Sequence, residues 1–446
     1  SVKTVIGRNA GRIEPGDVYV LNDPYNGGTH LPDVTVITPV FDEEGKEILF
    51  YVGSRGHHAD IGGITPGSMP PFSRTVEDEG VLLDNVKLVE DGRLLEDEMR
   101  RLLASAKYPA RNIDQNLADL RAQIAANEKG VQELRRMVAD FGLNVVQAYM
   151  GYVQANAEES VRRVLGVLKN GEFAYEMDNG AVIHVRIQIG ADRRSATIDF
   201  NGTSPQLESN FNAPSAVVYA AVLYVFRTLV EADIPLNAGC LKPLNIIIPE
   251  GCMLNPRPPA ATVAGNVETS QCITDALYGA LGAMAASCGT MSNFTFGNGR
   301  YQYYETISGG TGAGPGFHGC DTVQAHMTNS RLTDPEVLEW RFPVRLEEHS
   351  IRQGSGGRGK WHGGNGATRR IRFLEPMTAA VLSGHRRVPP YGMAGGEPGG
   401  LGRNWVVRSG NPGKRIDLSY ADEIEMGEGD VFVIETPGGG GYGASE

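Results

Sequence analysis

Three kinds of hydrophobic patterning follow one another along the chain. Between residues 17 and 60, short apolar runs ("DVYVL", "VTVITPVF", "ILFYVGS") alternate with turn residues, as in a β-rich unit. Residues 61–90 are rich in Gly, Pro and Ser ahead of "VLLDNVKLV". From about residue 111 to 168 the period changes. Ile113, Leu117, Leu120 and Ile124, then Leu134, Met137 and Val138, recur at steps of three and four, with a break at Gly142. This spacing predicts two long amphipathic helices.

The period of two returns in "AVIHVRIQIG" and "SATIDFNG". "APSAVVYAAVLYVFRTLVEA" and "VETSQCITDALYGALGAMAAS" are apolar on most faces and predict two buried helices. Beyond residue 340 the pattern is strand-like again, with glycine clusters at 354–366, 392–402 and 437–443, and no fixed-period repeat is present. The expected class is α+β and multi-domain. A β-rich region at 1–110 is followed by long helices at 111–170, an α/β region with buried helices at 171–340, and a β-rich, glycine-rich region at 341–446.

Composition changes this picture in one respect. Hydrophobic residues at 41% and charged residues at 21% are ordinary for a globular protein, but 58 glycines in 446 residues are about 13%, against a typical ~7%. Many backbone positions are therefore expected to need left-handed torsions or close approach. The net charge of -12 and the lack of any long Lys/Arg run argue against nucleic acid as a partner. Cys240, Cys252, Cys272, Cys288 and Cys320 are scattered, with no C-x-x-C pair, which suits a reducing cytoplasm better than a disulfide framework or a cysteine zinc site. No apolar run reaches the length of a membrane span. The chain opens without Met, almost directly on a strand-like stretch, and is read as the later part of a longer polypeptide.

Candidate chemistry concentrates near the start. In "LNDPYNGGTHLPD" (residues 21–33), glycines and prolines around His30 and Asp33 imply a loop, which can turn both side chains toward one point. "SRGHHADIGG" adds His57, His58 and Asp60. Imidazole and carboxylate donors suit Zn, Mn, Fe or Co, and two His with one Asp leave open positions for water or substrate. A hydrogen-bonded loop framework is the competing interpretation. Asp23 opens an Asp-Pro turn and is expected to form that turn. If "GHHAD" is extended, His57 faces one way while His58 and Asp60 share the other side, so one histidine is a ligand at most and the other orients or packs.

"GSGGRGKW" (354–361) matches most of a phosphate loop but fails at Trp361, where Ser or Thr would hold Mg²⁺, so a glycine-rich turn is expected. Among polar clusters in apolar surroundings, "NVETSQ" resembles a helix N-terminal turn whose free N–H groups can hold an anion. Glu268, Glu305 and His326 are the candidates for acid/base work. No G-x-S-x-G elbow or cysteine nucleophile motif is present.

The quoted stretches, together with "NLADLRAQIAANEKG", "AGNVETSQ", "YYETISGGTGAGP", "HMTNSRLTDPE" and "TPGGGGYG", resemble the hydantoinase B family along nearly the whole chain. That family includes the C-terminal half of ATP-dependent 5-oxoprolinase, N-methylhydantoinase B subunits and acetone carboxylase subunits; "SRGHHADIGGITPGSMPP" and "DLRAQIAANEKG" look most like 5-oxoprolinase. The resemblance implies ATP-dependent opening of a lactam, with 5-oxo-L-proline giving L-glutamate. A hydantoinase A-like half, fused or separate, would bind ATP and Mg²⁺ and phosphorylate the lactam, and the assembly would be oligomeric. It implies His30, Asp33 and His58 as ligands of a divalent metal such as Zn or Mn; Asp23, His57 and Asp60 are expected to surround them as supporting residues. A further carboxylate ligand is implied upstream of Ser1. Rivals from other classes are a two-His-one-carboxylate Fe(II) oxygenase and a non-catalytic scaffold.

Overall fold

The computed structural model describes residues 1–410 and 414–445. The period-two stretch near the start folds into β1 (Val18–Leu21), β2 (Asp33–Phe41) and β3 (Ile48–His57), joined by β4 (Val86–Glu90) and β5 (Arg93–Leu94) in an antiparallel sheet of order β3-β2-β1-β4-β5. Its core face carries Val18, Val20, Val34, Val36 and Leu88, which pack with Met99, Leu103, Leu117 and Leu120. The last two belong to the helix Ile113–Phe141, started by the Asn112 side chain, which accepts from the Gln115 N–H at 3.2 Å. At Gly142 (φ +83°) the first helix ends and a second, Leu143–Leu165, begins. Both helices lie where the three-and-four periodicity predicts them. One feature of the first is not apparent from its apolar residues. Asn116, Gln123 and Asn127 share its buried face, and Gln123 and Asn127 donate to the Val34 and Val36 carbonyls at 2.9 and 3.0 Å.

A second sheet, β6 (Gly171–Glu176), β7 (Val182–Ile189), β8 (Ala196–Asp199) and β9 (Leu244–Ile247), is antiparallel except for its last pair. Two Ala-rich helices, Ser215–Thr228 and Ser270–Leu281, are buried with it in the largest apolar cluster. The chain ahead of the second of these helices is a π-turn, Gly265–Thr269, continuous with helical Val263 and Ala264. "NVETSQ" is therefore inside a helical run and is not its start. The true start does hold a carboxyl group: the Thr262 and Val263 N–H groups both donate to the buried Glu79 side chain at 2.9 Å.

The remaining strands are β10 (Asn293–Gly297), β11 (Gln302–Glu305), β12 (Val344–Ile351), β13 (Ala367–Phe373), β14 (Met377–Leu382), β15 (Arg403–Val407), β16 (Arg415–Leu418), β17 (Ala421–Met426) and β18 (Val431–Glu435). They form two antiparallel sheets, β11-β10-β14-β17 and β12-β13-β18-β15-β16, around Phe294, Phe296, Phe373 and Phe432. The glycine clusters meet beside them. Gly357 N–H donates to Gly439 O and Gly439 N–H to Gly364 O, both at 2.9 Å. A Cβ on Gly439 would lie 1.9 Å from the Thr311 carbonyl oxygen, so much of the glycine excess reflects backbone packed on backbone. "GSGGRGKW" is part of this network, where Trp361 bridges to Tyr442. The architecture is α+β with several sheets. No helix among the described residues is long and apolar enough to cross a membrane.

Candidate metal-binding cleft

The loop before β2 is held from within. Asn22, fully buried, donates to the Leu31 and Val81 carbonyls at 2.8 and 2.9 Å and accepts from the Leu83 N–H at 2.6 Å. Asp23 accepts from the Tyr25 N–H at 2.8 Å and the Asn26 side chain at 2.7 Å, forming the expected turn. Gly28 approaches the Asn22 carbonyl so closely that a Cβ would lie 2.2 Å from its oxygen. This tight loop delivers His30, fully buried, and Asp33 to the start of β2.

Asp33 is the direct cross-strand partner of His57 at the end of β3. Opposite residues in an antiparallel pair project to the same face, so His57 joins His30 and Asp33. His30 Nδ1 stands 3.4 Å from Asp33 Oδ2, an approach whose angle leaves both buried His30 ring nitrogens without a hydrogen bond. The His30 and His57 rings are 5.3 Å apart, and His57 stacks on Tyr304 of β11 at 5.0 Å. Asp33 also accepts from Thr29 and, at 3.3 Å, from Asn266 on the π-turn. These groups line a cleft of about 300 Å³, closed by residues of the segment 327–331.

Burial alone would raise the Asp33 carboxyl, but His30, His57 and Arg55 outweigh it and hold it well below the usual carboxylate range. The surrounding protein disfavours the His57 imidazolium and the nearby His30 adds to this, lowering the ring below its ordinary value against the pull of Asp33. At neutral pH the cleft thus presents a carboxylate and a neutral imidazole, each with lone pairs available.

His58 lies on the other side. Past the end of β3 its ring turns toward the long helix, where Nδ1 pairs with Asn116 at 2.9 Å and Nε2 with Gln123 at 3.3 Å. The structure therefore does not bring His58 to His30 and Asp33; it brings His57. Asp60 is equally committed, accepting from the Gly62, Gly67 and Arg111 N–H groups and pairing with the Arg111 guanidinium at 2.9 Å.

The three acid/base candidates separate as well. Glu305 lines the cleft wall, but Arg369 pairs with both its oxygens at 2.7 and 2.9 Å and the Tyr303 hydroxyl donates to it at 2.9 Å. Glu268 lies deeper, and burial pushes its carboxyl up to about 8 despite hydrogen bonds from Thr290, Met291 and Asn293. It reaches the cleft indirectly, since Asn293 donates to Glu268 and accepts from the Tyr304 hydroxyl at 2.7 Å. His326 is buried beside Asp275, 3.2 Å away, behind the segment that closes the cleft. Asn266 and Tyr304 were not singled out from the sequence. They stand in "AGNVETSQ" and "YYETISGG", but only the π-turn and the sheet edge bring them to His57 and Asp33.

As a test of fit to a metal, the donor set is right in kind: a buried imidazole with two unpaired nitrogens, a carboxylate and a neutral imidazole. Among the described residues no three His, Cys, Asp or Glu side chains converge on one metal-sized point, so His30 and Asp33 form the close pair and His57 its neighbour.

A multi-sheet α+β protein whose first sheet ends in a His/Asp cleft is the class that fold and site define. The chain belongs to the hydantoinase B/oxoprolinase family, whose model matches residues 1–445. It is 46% identical to 5-oxoprolinase 1 of Arabidopsis thaliana over 97% of this chain and 36% of that protein. It is 44% identical to 5-oxoprolinase of Dictyostelium discoideum over 97% of this chain and 34% of that protein. It thus spans about a third of the length of these relatives. In fold it is similar to the ATP-dependent caprolactamase from Pseudomonas jessenii, with a TM-score of 0.84 at 24% identity, covering 99% of this chain and 80% of that one.

Proposed function

We propose that this chain is the hydrolytic part of an ATP-dependent cyclic amide hydrolase of 5-oxoprolinase type, opening 5-oxo-L-proline to L-glutamate. A hydantoinase A-like ATPase part, fused or separate, binds ATP and Mg²⁺ and phosphorylates the lactam oxygen. Water then adds to the activated carbonyl carbon, and the ring C–N bond breaks with the proton passing to nitrogen. The resulting acyl phosphate takes a second water and releases phosphate. The observation that carries this proposal is the register that sets Asp33 opposite His57 beside a buried His30 with no hydrogen-bond partner. Family membership and the two 5-oxoprolinase relatives support the substrate class.

His30, Asp33 and His57 would hold a divalent cation such as Zn or Mn. When bound, such an ion supplies Lewis-acid polarisation of the carbonyl and lowers the pKa of water. The chain's own residues position it: Asn266 and Thr29 orient the Asp33 carboxylate, and Tyr304, its hydroxyl fixed by Asn293, supports the His57 ring. Glu268 acts through Asn293, as a positioning residue. His58 and Asp60 hold the strand end to the long helix. The test is release of L-glutamate from 5-oxo-L-proline by the complete enzyme with its ATPase part. ATP-dependent release is expected; oxygen consumption without ATP dependence would overturn the proposal in favour of an oxygenase.

A further inference from the structure

The segment that closes the cleft is pinned along its length. Gln271, on the buried helix, donates from Nε2 to the Ala325 carbonyl at 3.3 Å and the Thr328 hydroxyl at 2.6 Å. Gln324 donates to the Thr306 carbonyl at 3.1 Å, and the Thr306 and Ser330 hydroxyls share a short hydrogen bond. His326 holds the left-handed backbone at φ +55° with its ring against Asp275. On the far side Leu332 packs on the C-terminal core. Arg331 is therefore set between two anchored neighbours, and it lines the same cleft as His30, Asp33 and His57.

Among the described residues lining the cleft, Arg331 is the one Lys or Arg. The other guanidiniums nearby are engaged: Arg369 is committed to Glu305, and Arg55 donates to the Thr35 and Ser1 hydroxyls. The remaining charge argues for a use of this cation. The chain carries -12 overall, the Asp33 carboxyl group lines the cleft, and Glu305 is already paired with Arg369 within the wall. An anionic substrate entering such a cleft would meet repulsion unless a fixed cation faced it. A guanidinium is planar and always charged, and its fork matches a carboxylate in two parallel hydrogen bonds.

We infer that Arg331 receives a carboxylate carried on the ring of the substrate, so that the cleft selects acidic cyclic amides over neutral ones. This rests on the proposed lactam-opening function and narrows it. The amide end of the ring lies toward His30, Asp33 and His57, and the carboxylate end toward the pinned rim. Arg331 contributes recognition and orientation, and the reaction itself takes place at the other end of the cleft.

The experiment uses the complete enzyme with its ATPase part and compares 5-oxo-L-proline turnover in wild type, Arg331→Met and Arg331→Lys. Loss of a charge-assisted carboxylate contact raises KM in Arg331→Met by about 10- to 100-fold, with a smaller fall in kcat. Arg331→Lys, which keeps the charge but not the fork, gives an intermediate KM. The side chain is exposed, and an unchanged thermal midpoint in both variants shows that the fold is intact. A KM within twofold of wild type in Arg331→Met, with wild type active on 5-oxo-L-proline, overturns the inference and leaves the proposed function standing. Wild type that ignores 5-oxo-L-proline but opens a neutral lactam such as 2-pyrrolidinone overturns both.

Discussion

His57 and His58 are neighbours in the chain, yet the end of β3 sends them into opposite environments. On the helix side His58 has both ring nitrogens paired, with Asn116 and Gln123, and Asp60 is filled by backbone N–H groups and Arg111. On the cleft side His30 has two buried nitrogens with no partner, next to Asp33 and His57. Buried polar groups are nearly always hydrogen-bonded. Of these two His/Asp clusters, the one whose buried imidazole has both nitrogens paired is framework, and the one whose buried imidazole is unpaired leaves bonding for a ligand to complete. The same contrast separates Glu305, locked to Arg369, from Glu268, which keeps Oε2 unpaired at a buried position.

The contrast breaks most visibly through activity. His30→Ala and His57→Ala should each lower ATP-dependent ring opening by more than the roughly 10–100-fold that outer partners of a ligand cost, while urea unfolding changes little. Activity retained within tenfold in either variant would remove the cleft from the chemistry. The framework side should respond in stability. Glu305→Gln leaves Arg369 buried and without its charge partner, at a cost of about 3–5 kcal/mol in urea unfolding. His58→Ala strands Asn116 and Gln123 and should cost about 1–3 kcal/mol, with metal content retained.

A further effect is a pH dependence. The Glu268 carboxyl has an ordinary value of 4.5 and is pushed up to about 8 when folded, so between these values the folded state keeps a proton that the unfolded state has released. Stability from this group is full below about pH 4.5 and is lost as pH rises toward 8. Glu79, raised to about 7, acts in the same direction. Glu268→Gln should flatten the fall in urea midpoint between about pH 5 and pH 8, leaving the Glu79 part. An unchanged slope would mean that Glu268 is ionised in the fold.

Helices and strands were legible in the sequence wherever one period ran long enough: the two long helices on either side of Gly142, the Ala-rich helices and the alternating strands all lie where the pattern puts them. The loop character of "LNDPYNGGTHLPD" and the opposite facing of His57 and His58 followed from turn residues and alternation. Which histidine faces Asp33 did not, because cross-strand register is set by pairing between β2 and β3 and no local pattern encodes it. The π-turn at Gly265–Thr269 hid in the same way. Its sequence reads as a helix start, whereas the free N–H groups of the true start are those of Thr262 and Val263, occupied by the Glu79 carboxyl from a distant segment. The pairing of Glu305 with Arg369, 64 residues apart, and the burial of His326 against Asp275 are likewise long-range facts. Residue type alone makes Glu305 and His326 look like acid/base candidates.

The cleft-and-framework account is tested most directly by the metal content of the purified complete enzyme in His57→Ala and His58→Ala, measured side by side with wild type. The account predicts that His57→Ala loses bound divalent metal while His58→Ala retains it. Metal lost in His58→Ala and retained in His57→Ala would contradict it.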